Sequence, residues 1–231
     1  MFFEERVVWC IGYANGMRKL ISYSLCGKNP LYWLGLLNNI RVQPYVLPDW
    51  EIKVYIERDH FLIPILKDMR VGYEEVDNTY GGTFCSGWRF YAFAEDADYA
   101  LVRDADSIIG MKDVYCTDEW LASGKTLHSI VEFPTAMPLS AGCMGIKGRL
   151  FPNIRSMYDD YVRVNGNNYS IDEMFLRDYV WNKYRHDMLK HGYYGGGEPI
   201  YAESKYQYTG FKVQLKWDDV FQWKEFDPEN L

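Results

Sequence analysis

Short β-rich apolar runs alternate with helix-like stretches through most of the first 150 residues, and this alternation restricts the chain to α/β architectures with a largely parallel sheet. The strand candidates are Val7–Ile11, Leu20–Leu25, Ile52–Ile56, Tyr73–Val76, Tyr99–Val102, Leu127–Val131 and Cys143–Lys147. Between them, Pro30 sits near the start of a helix running to about Arg41, and Pro44 and Pro48 end that segment. Asp59 is the N-cap candidate of a helix to about Arg70, with Pro64 early in it. Gly81-Gly82 breaks the chain, after which Trp88, Tyr91 and Ala92 mark one helical face reaching Ala94. Lys112 to Ser123 reads as a helix ending at Gly124. Ser170-Ile171-Asp172-Glu173 has the form of a capping box, with Ser170 as N-cap of a helix to about Lys183. Beyond it, the Gly195-Gly196-Gly197 run suggests a mobile loop, and Trp217 to Trp223 a docking tail. With no internal repeat, low-complexity tract or linker, residues 1–231 are expected to form one domain, a mostly parallel central sheet flanked by helices.

A globular chain of 231 residues buries roughly 70% of its unfolded surface, enough for a sizeable core. Hydrophobic residues at 48% against 25% charged exclude general disorder. The 17% aromatic content, with 20 Tyr and 8 Trp, exceeds the needs of a core, which points to rings lining a cleft. A net charge of -7 without any clustered Lys and Arg argues against a nucleic-acid-binding surface, and no nucleic-acid partner is expected. The cysteines, Cys10, Cys26, Cys85, Cys116 and Cys143, are odd in number and never spaced Cys-x-x-Cys, a pattern expected in a reducing compartment without structural zinc. No apolar run approaches the roughly 18 residues of a membrane span, and Glu4 and Glu5 stand where a signal peptide would be basic. A cytoplasmic protein is therefore expected, in the host cytoplasm if the source is viral.

The tripeptide Asp-Ala-Asp occurs twice, at Asp96–Asp98 and Asp104–Asp106. Open parallel sheets bind ligands outside the carboxyl ends of their strands. The first triplet precedes the strand Tyr99–Val102 and reads as a solvated turn; the second leaves its carboxyl end. Carboxylates one residue apart in extended backbone project to the same side, so Asp104 and Asp106 can converge on one cation. At about 5 Å and an effective dielectric near 20, their mutual repulsion is roughly 3 kcal/mol, which a divalent ion reverses. Oxygen ligands alone favour Mg²⁺ or Mn²⁺ with phosphate oxygens completing the shell, so a diphosphate-bearing ligand is expected. A pair of solvated loop carboxylates is the competing reading.

At this point the string "VRDADS" after an apolar strand resembles the Asp-x-Asp signature of nucleotide-sugar glycosyltransferases of the GT-A fold. The strings "ISYSLCG", "YWLGLLNNI", "LPDWEIKVYIERD", "GWRFYAF", "DEWLASGKTLHSI", "SAGCMGIKG", "YSIDEMFLRDYVW" and "YRHD" follow the order seen in small glycosyltransferases of large DNA viruses, including chlorovirus enzymes that build capsid glycans. The resemblance covers roughly Lys19 to Val213; where the family usually shows Arg-Asp-His-Pro, this chain has "VEFPTAMP".

The resemblance implies a GT-A domain with a nucleotide-binding part over about 1–110 and an acceptor-side part over about 111–231. It implies a nucleoside-diphosphate sugar, UDP-linked, with its nucleoside near Ser24, Leu25 and Gly27. Arg89 would lie by the diphosphate, although a surface helix Arg is the plain alternative. Asp104, Ala105 and Asp106 would contact donor and metal, Mn²⁺ or Mg²⁺, with His186 completing the metal shell and His191 as fallback. Gly142 would let the sugar approach the backbone. Asp172 would stand near the anomeric carbon or acceptor, unless it only favours the start of its helix. The implied activity is metal-assisted transfer to a glycan or glycoprotein, with the late His inclining the reading to retention. The rival readings are another phosphate-handling enzyme, such as a nucleotidyltransferase, and a non-catalytic glycan-binding module.

Overall fold

The computed structural model describes residues 16–131 and 139–192, together with the backbone of 211–212. The expected strand Val7–Ile11, the glycine run at 195–197 and the segment Trp217–Trp223 lie outside these residues.

In chain order the elements are β1 (Lys19–Leu25), α1 (Pro30–Val46), β2 (Glu51–Glu57), α2 (Ile63–Asp68) and β3 (Gly72–Val76). A long 3-10 segment (Gly82–Ala94) leads to β4 (Tyr99–Arg103), β5 (Ser107–Ile108), α3 (Met111–Ser123), β6 (Leu127–Val131), β7 (Cys143–Lys147) and α4 (Ile154–Asn165). The helix α5 (Ile171–Phe175) continues through a wide π turn (Leu176–Trp181) into α6 (Asn182–Tyr184), followed by β8 (Met188–Gly192) and the short β9 (Phe211–Lys212).

Seven strands form one sheet in the order β3-β2-β1-β4-β7-β6-β8, and β5 pairs with β9 apart from it. β1, β2, β3 and β4 are parallel, as are β6 and β8; β7 alone is antiparallel to its neighbours. The mostly parallel α/β expectation therefore holds. Strands covered on both faces need near-continuous apolar sequence, and β4 and β6 are buried at all five positions. One face packs on α1, α2 and α3 through Leu34, Leu37, Leu66 and Trp120; the other packs on the 3-10 segment, α4 and α5 through Trp88, Phe90, Tyr158 and Phe175. No helix among the described residues is long and apolar enough to cross a membrane.

Local chemistry explains where the elements depart from their expected limits. Asn29 caps α1 by accepting from Leu31 N at 3.0 Å, and the helix passes Pro44 to Val46 instead of ending near Arg41. Pro44 falls in the last turn, and Gln43 donates to the carbonyls of Leu47 and Trp50 at 2.7 Å each, closing the end that a proline would leave open. Asp59 has φ 57°, a left-handed turn conformation, and α2 begins four residues later; Asp59 is not its N-cap. Ser170 likewise has φ 66° and caps no backbone N–H, so the capping box does not form.

The buried pair Arg103–Asp113 ties β4 to α3. Both side chains are fully buried, with Arg103 Nε donating to Asp113 Oδ1 at 3.0 Å and Nη1 to the carbonyls of Val102 and Met144. Asp113 Oδ2 accepts from Gly110 N at 3.0 Å, which fixes the first turn of α3. Burial works against the guanidinium charge, and Asp113 together with the nearby Cys143 and Tyr23 overcomes it, holding Arg103 above the usual arginine range. Removing one partner strands the other charge, so Asp113→Ala is expected to cost about 3–5 kcal/mol, measured by urea unfolding against the parent protein.

Candidate functional site

A cavity of 390 Å³ opens at the carboxyl ends of β1 and β4, where the strand order reverses and an open α/β sheet leaves a crevice. Ser24 and Leu25 line it from the end of β1 with Cys26 just after it, and Asp104, Ala105 and Asp106 from the loop after β4. The 3-10 segment contributes Cys85, Ser86 and Arg89, the approach to β7 contributes Ser140, Ala141 and Gly142, and the start of α5 contributes Ser170, Asp172 and Glu173. Residues more than a hundred positions apart thus meet at one edge because β7 lies beside β4, with Cys143 opposite Arg103.

Arg89 is the hub. Its side chain is 7% exposed, with Nη1 donating to Asp104 Oδ1 at 2.5 Å and Nη2 to Asp172 Oδ2 at 2.8 Å. Burial opposes its charge, and Asp104 and Asp172 together overcome burial and raise its pKa. The surface-arginine alternative is therefore excluded. Ser22 Oγ donates to the Arg89 carbonyl at 2.7 Å and Ser24 Oγ to that of Ser86 at 3.3 Å, so hydroxyls on β1 hold the 3-10 segment in place. The Arg89 Nε has no protein partner among the described residues.

Two glycines permit this packing. A Cβ at Gly142 would fall inside the Asp104 carboxylate, and one at Gly35 would fall on the Ala105 carbonyl, so α1 and the approach to β7 can both close on the Asp104–Asp106 loop. Asn39, fully buried on α1, donates to the Ser107 carbonyl at 2.9 Å and accepts from Ile109 N at 2.9 Å. It fixes the course of the chain just after the two aspartates. A buried polar residue in the apolar run "YWLGLLNNI" was the signal available for it.

The remaining expected residues are placed differently. Gly27 does not line the cavity; it has φ 68°, its N–H donates to Glu57 at 2.8 Å, and its carbonyl accepts from His60 Nε2 at 2.6 Å. His60 must carry its proton on Nε2, because Nδ1 accepts from Leu62 N at 3.2 Å. Gly27 shapes the turn beside the cavity instead of facing a ligand. His186 is exposed against Arg185 and precedes β8, at the edge of the sheet where β4 begins and Asp104 does not lie. A five-residue strand spans roughly 16 Å, so His186 is remote from the aspartates. His191 is buried and uses both ring nitrogens, on His128 at 3.0 Å and Glu119 at 2.7 Å.

Among the described residues no three His, Cys, Asp or Glu side chains form a metal-holding group. Asp104 and Asp106 nevertheless suit a hard divalent cation that takes few protein ligands and completes its shell from phosphate and water. Four carboxylates line the cavity, Asp104, Asp106, Asp172 and Glu173, against one guanidinium. Glu173, which sequence reasoning missed, has its carboxyl pushed up by burial first, then by Asp172 and Asp104.

Cys26 and Cys85, both in the cavity wall, form a disulfide between residues 59 positions apart. The disulfide runs against the expectation of a reducing compartment, which rested on an odd count and the lack of short spacing. Cys116 is buried and Cys143 half-buried.

No protein-family model and no characterised protein sequence matches the chain. Solved structures match its fold. A glycosyltransferase involved in glycosylating the major capsid of PBCV-1 aligns over 76% of this chain and 81% of its own, at 13% identity and TM-score 0.52. Glucosyl-3-phosphoglycerate synthase from Mycobacterium tuberculosis, in complex with Mn²⁺, UDP and glucosyl-3-phosphoglycerate, aligns over 80% and 74%, at 13% identity and TM-score 0.52. The 4-diphosphocytidyl-2C-methyl-D-erythritol synthase of Anaerococcus prevotii aligns over 90% and 95%, at 11% identity and TM-score 0.50. The chain spans about half, 54%, of the mannosyltransferase PcManGT from Pyrobaculum calidifontis. The likenesses to the capsid glycosyltransferase and to the Mycobacterium synthase show a Rossmann-like α/β fold of the GT-A type.

The closed loop between Cys26 and Cys85 restricts the unfolded chain, so reduction is expected to cost up to about 4 kcal/mol. Thermal unfolding with and without reductant, compared with a Cys26→Ser/Cys85→Ser variant that no longer responds to reductant, checks this.

Proposed function

We propose that the protein is a divalent-cation-assisted glycosyltransferase that takes a nucleoside-diphosphate sugar, UDP-linked, as donor and a glycan or glycoprotein as acceptor. The observation that carries this reading is the Arg89–Asp104 contact at the crevice of a GT-A-type sheet, with Asp106 beside it and glycine at 142 leaving room for the carboxylate.

The nucleoside would lie along Ser24 and Leu25, the diphosphate by Arg89, and the sugar against the backbone of Gly142. The cation, Mn²⁺ or Mg²⁺, would be held by Asp104 and Asp106 and would offset charge on the leaving diphosphate; His186 has no part in its shell. Arg89 is pre-positioned by two carboxylates, so its charge and donors need no reorganisation as the diphosphate departs. Asp172 has both oxygens engaged, one by Arg89 and the other by Glu173 N at 2.9 Å, so we assign it as the positioning partner of Arg89. A retaining course needs no further base. The acceptor hydroxyl oxygen bonds to the anomeric carbon, the bond from that carbon to the diphosphate breaks, and the hydroxyl proton passes to the departing phosphate oxygen.

The likeness to the Anaerococcus synthase keeps a nucleotidyltransferase as the second reading. One screen separates the two: UDP- and GDP-sugars with Mn²⁺ are assayed for release of nucleoside diphosphate, and UTP and CTP with sugar phosphates for release of pyrophosphate. Pyrophosphate release alone would reject the transferase. Asp104→Asn keeps the hydrogen bond to Arg89 while removing the charge, and is expected to lower donor turnover by about 100-fold or more. Gly142→Ala should displace the Asp104 carboxylate and weaken Mn²⁺ binding about tenfold, with little change in the unfolding midpoint. Calorimetric titration of Mn²⁺ in the presence of UDP reads this.

A further inference from the structure

We propose that Tyr169 is a stacking platform for the acceptor, and that this acceptor is an uncharged pyranose glycan. The inference rests on the transferase reading above.

Tyr169 lines the cavity yet is 90% exposed, more than any other large apolar side chain among the described residues. The backbone beneath it is fixed. Asn167 Nδ2 donates to the carbonyls of Tyr80 at 3.2 Å and Gly81 at 2.5 Å. Thr83 Oγ1 lies 2.9 Å from both Asn167 Oδ1 and the Asn168 carbonyl. Ser170 then turns the chain at φ 66°, a conformation that costs about 1 kcal/mol or more for a residue with a Cβ. A strained, well-anchored turn therefore presents an aromatic ring to water at the mouth of a polar cavity. Such a ring offers a flat apolar face with a hydroxyl at its rim, which suits the C–H face of a pyranose.

The charge around the ring selects among acceptors. Glu173 and Asp172 follow Tyr169 by four and three residues, and Arg89 is the one Lys or Arg among the described lining residues. Arg89 is already shared between Asp104 and Asp172. A phosphate or carboxylate on the acceptor would meet like charge with no free cation, whereas sugar hydroxyls can donate to the Glu173 carboxylate. Tyr32, in the first turn of α1, also lines the cavity but is less than half as exposed as Tyr169.

The test begins with the unmodified protein and Mn²⁺-dependent donor hydrolysis, which needs no acceptor; no hydrolysis of any nucleotide sugar rejects the transferase reading, and this proposal with it. With hydrolysis in hand, methyl glycosides of glucose, galactose, mannose and xylose are compared with 3-phosphoglycerate and hexose 6-phosphates as stimulants of nucleoside diphosphate release. We expect a neutral glycoside to stimulate release and the phosphorylated compounds not to. Tyr169→Ala should raise the KM for that glycoside about tenfold, with kcat and the donor KM within about twofold, and Tyr169→Phe should restore it. Stimulation by the phosphorylated compounds alone, or by neither class, overturns the proposal. So does a Tyr169→Ala effect that falls on the donor KM instead of the acceptor KM.

Discussion

Everything at the ligand edge hangs from the buried ion pair between Arg103 and Asp113. Arg103 is the last residue of β4 and Asp104 the first of the loop, so fixing the Arg103 side chain fixes the direction in which the first aspartate leaves the sheet. The same pair holds the start of α3 through Gly110, and Asn39 holds the intervening backbone from the opposite side. The loop is bound at both ends and in its middle. Its carboxylates are thus organised by the fold itself, which is what an electrostatic site requires if it is to act without rearranging.

The cavity is built out of charge balance. Its carboxylates outnumber its guanidinium four to one, and burial has already driven the Glu173 carboxyl up. A pocket of that sign disfavours a diphosphate by itself, and a divalent cation would offset the repulsion. Arg89 prevents the site from being more strained still, since it offsets Asp104 and Asp172 simultaneously.

Much of the sheet was legible because strands covered on both faces, whatever their direction, are mostly apolar. Leu127–Val131 and Cys143–Lys147 coincide with β6 and β7 for that reason. β8, with the sequence Met-Leu-Lys-His-Gly at the sheet edge, carries no such run and was missed. α4 was also missed, although Ile154, Tyr158, Tyr161 and Val162 make a helical stripe. Asp59 and Ser170 misled because residues that cap helices also tolerate left-handed turns, and sequence does not say which geometry a site requires. At the candidate site, Arg89, Asp104, Asp106, Gly142 and Asp172 do share one cavity. His186 does not, because its position depends on which way β8 runs, a property of topology that no local string carries. The Cys26–Cys85 pairing was equally hidden: its partners are brought together by hydroxyls on β1 that grip the 3-10 segment.

The reversed direction of β7 has a further consequence. Strands that end at the crevice are followed by segments that can begin helices there, and a helix start carries partial positive charge suited to anions. β7 begins at this edge, so the chain reaches Gly142 by entering the sheet and cannot start a helix from it. Among the described residues the helix starts that line the cavity are therefore those of α1 and α5, on other strands' connections, and not one following β7. Arg89 is the one Lys or Arg among the described residues lining the cavity, so positive side-chain charge at this corner depends on a single position.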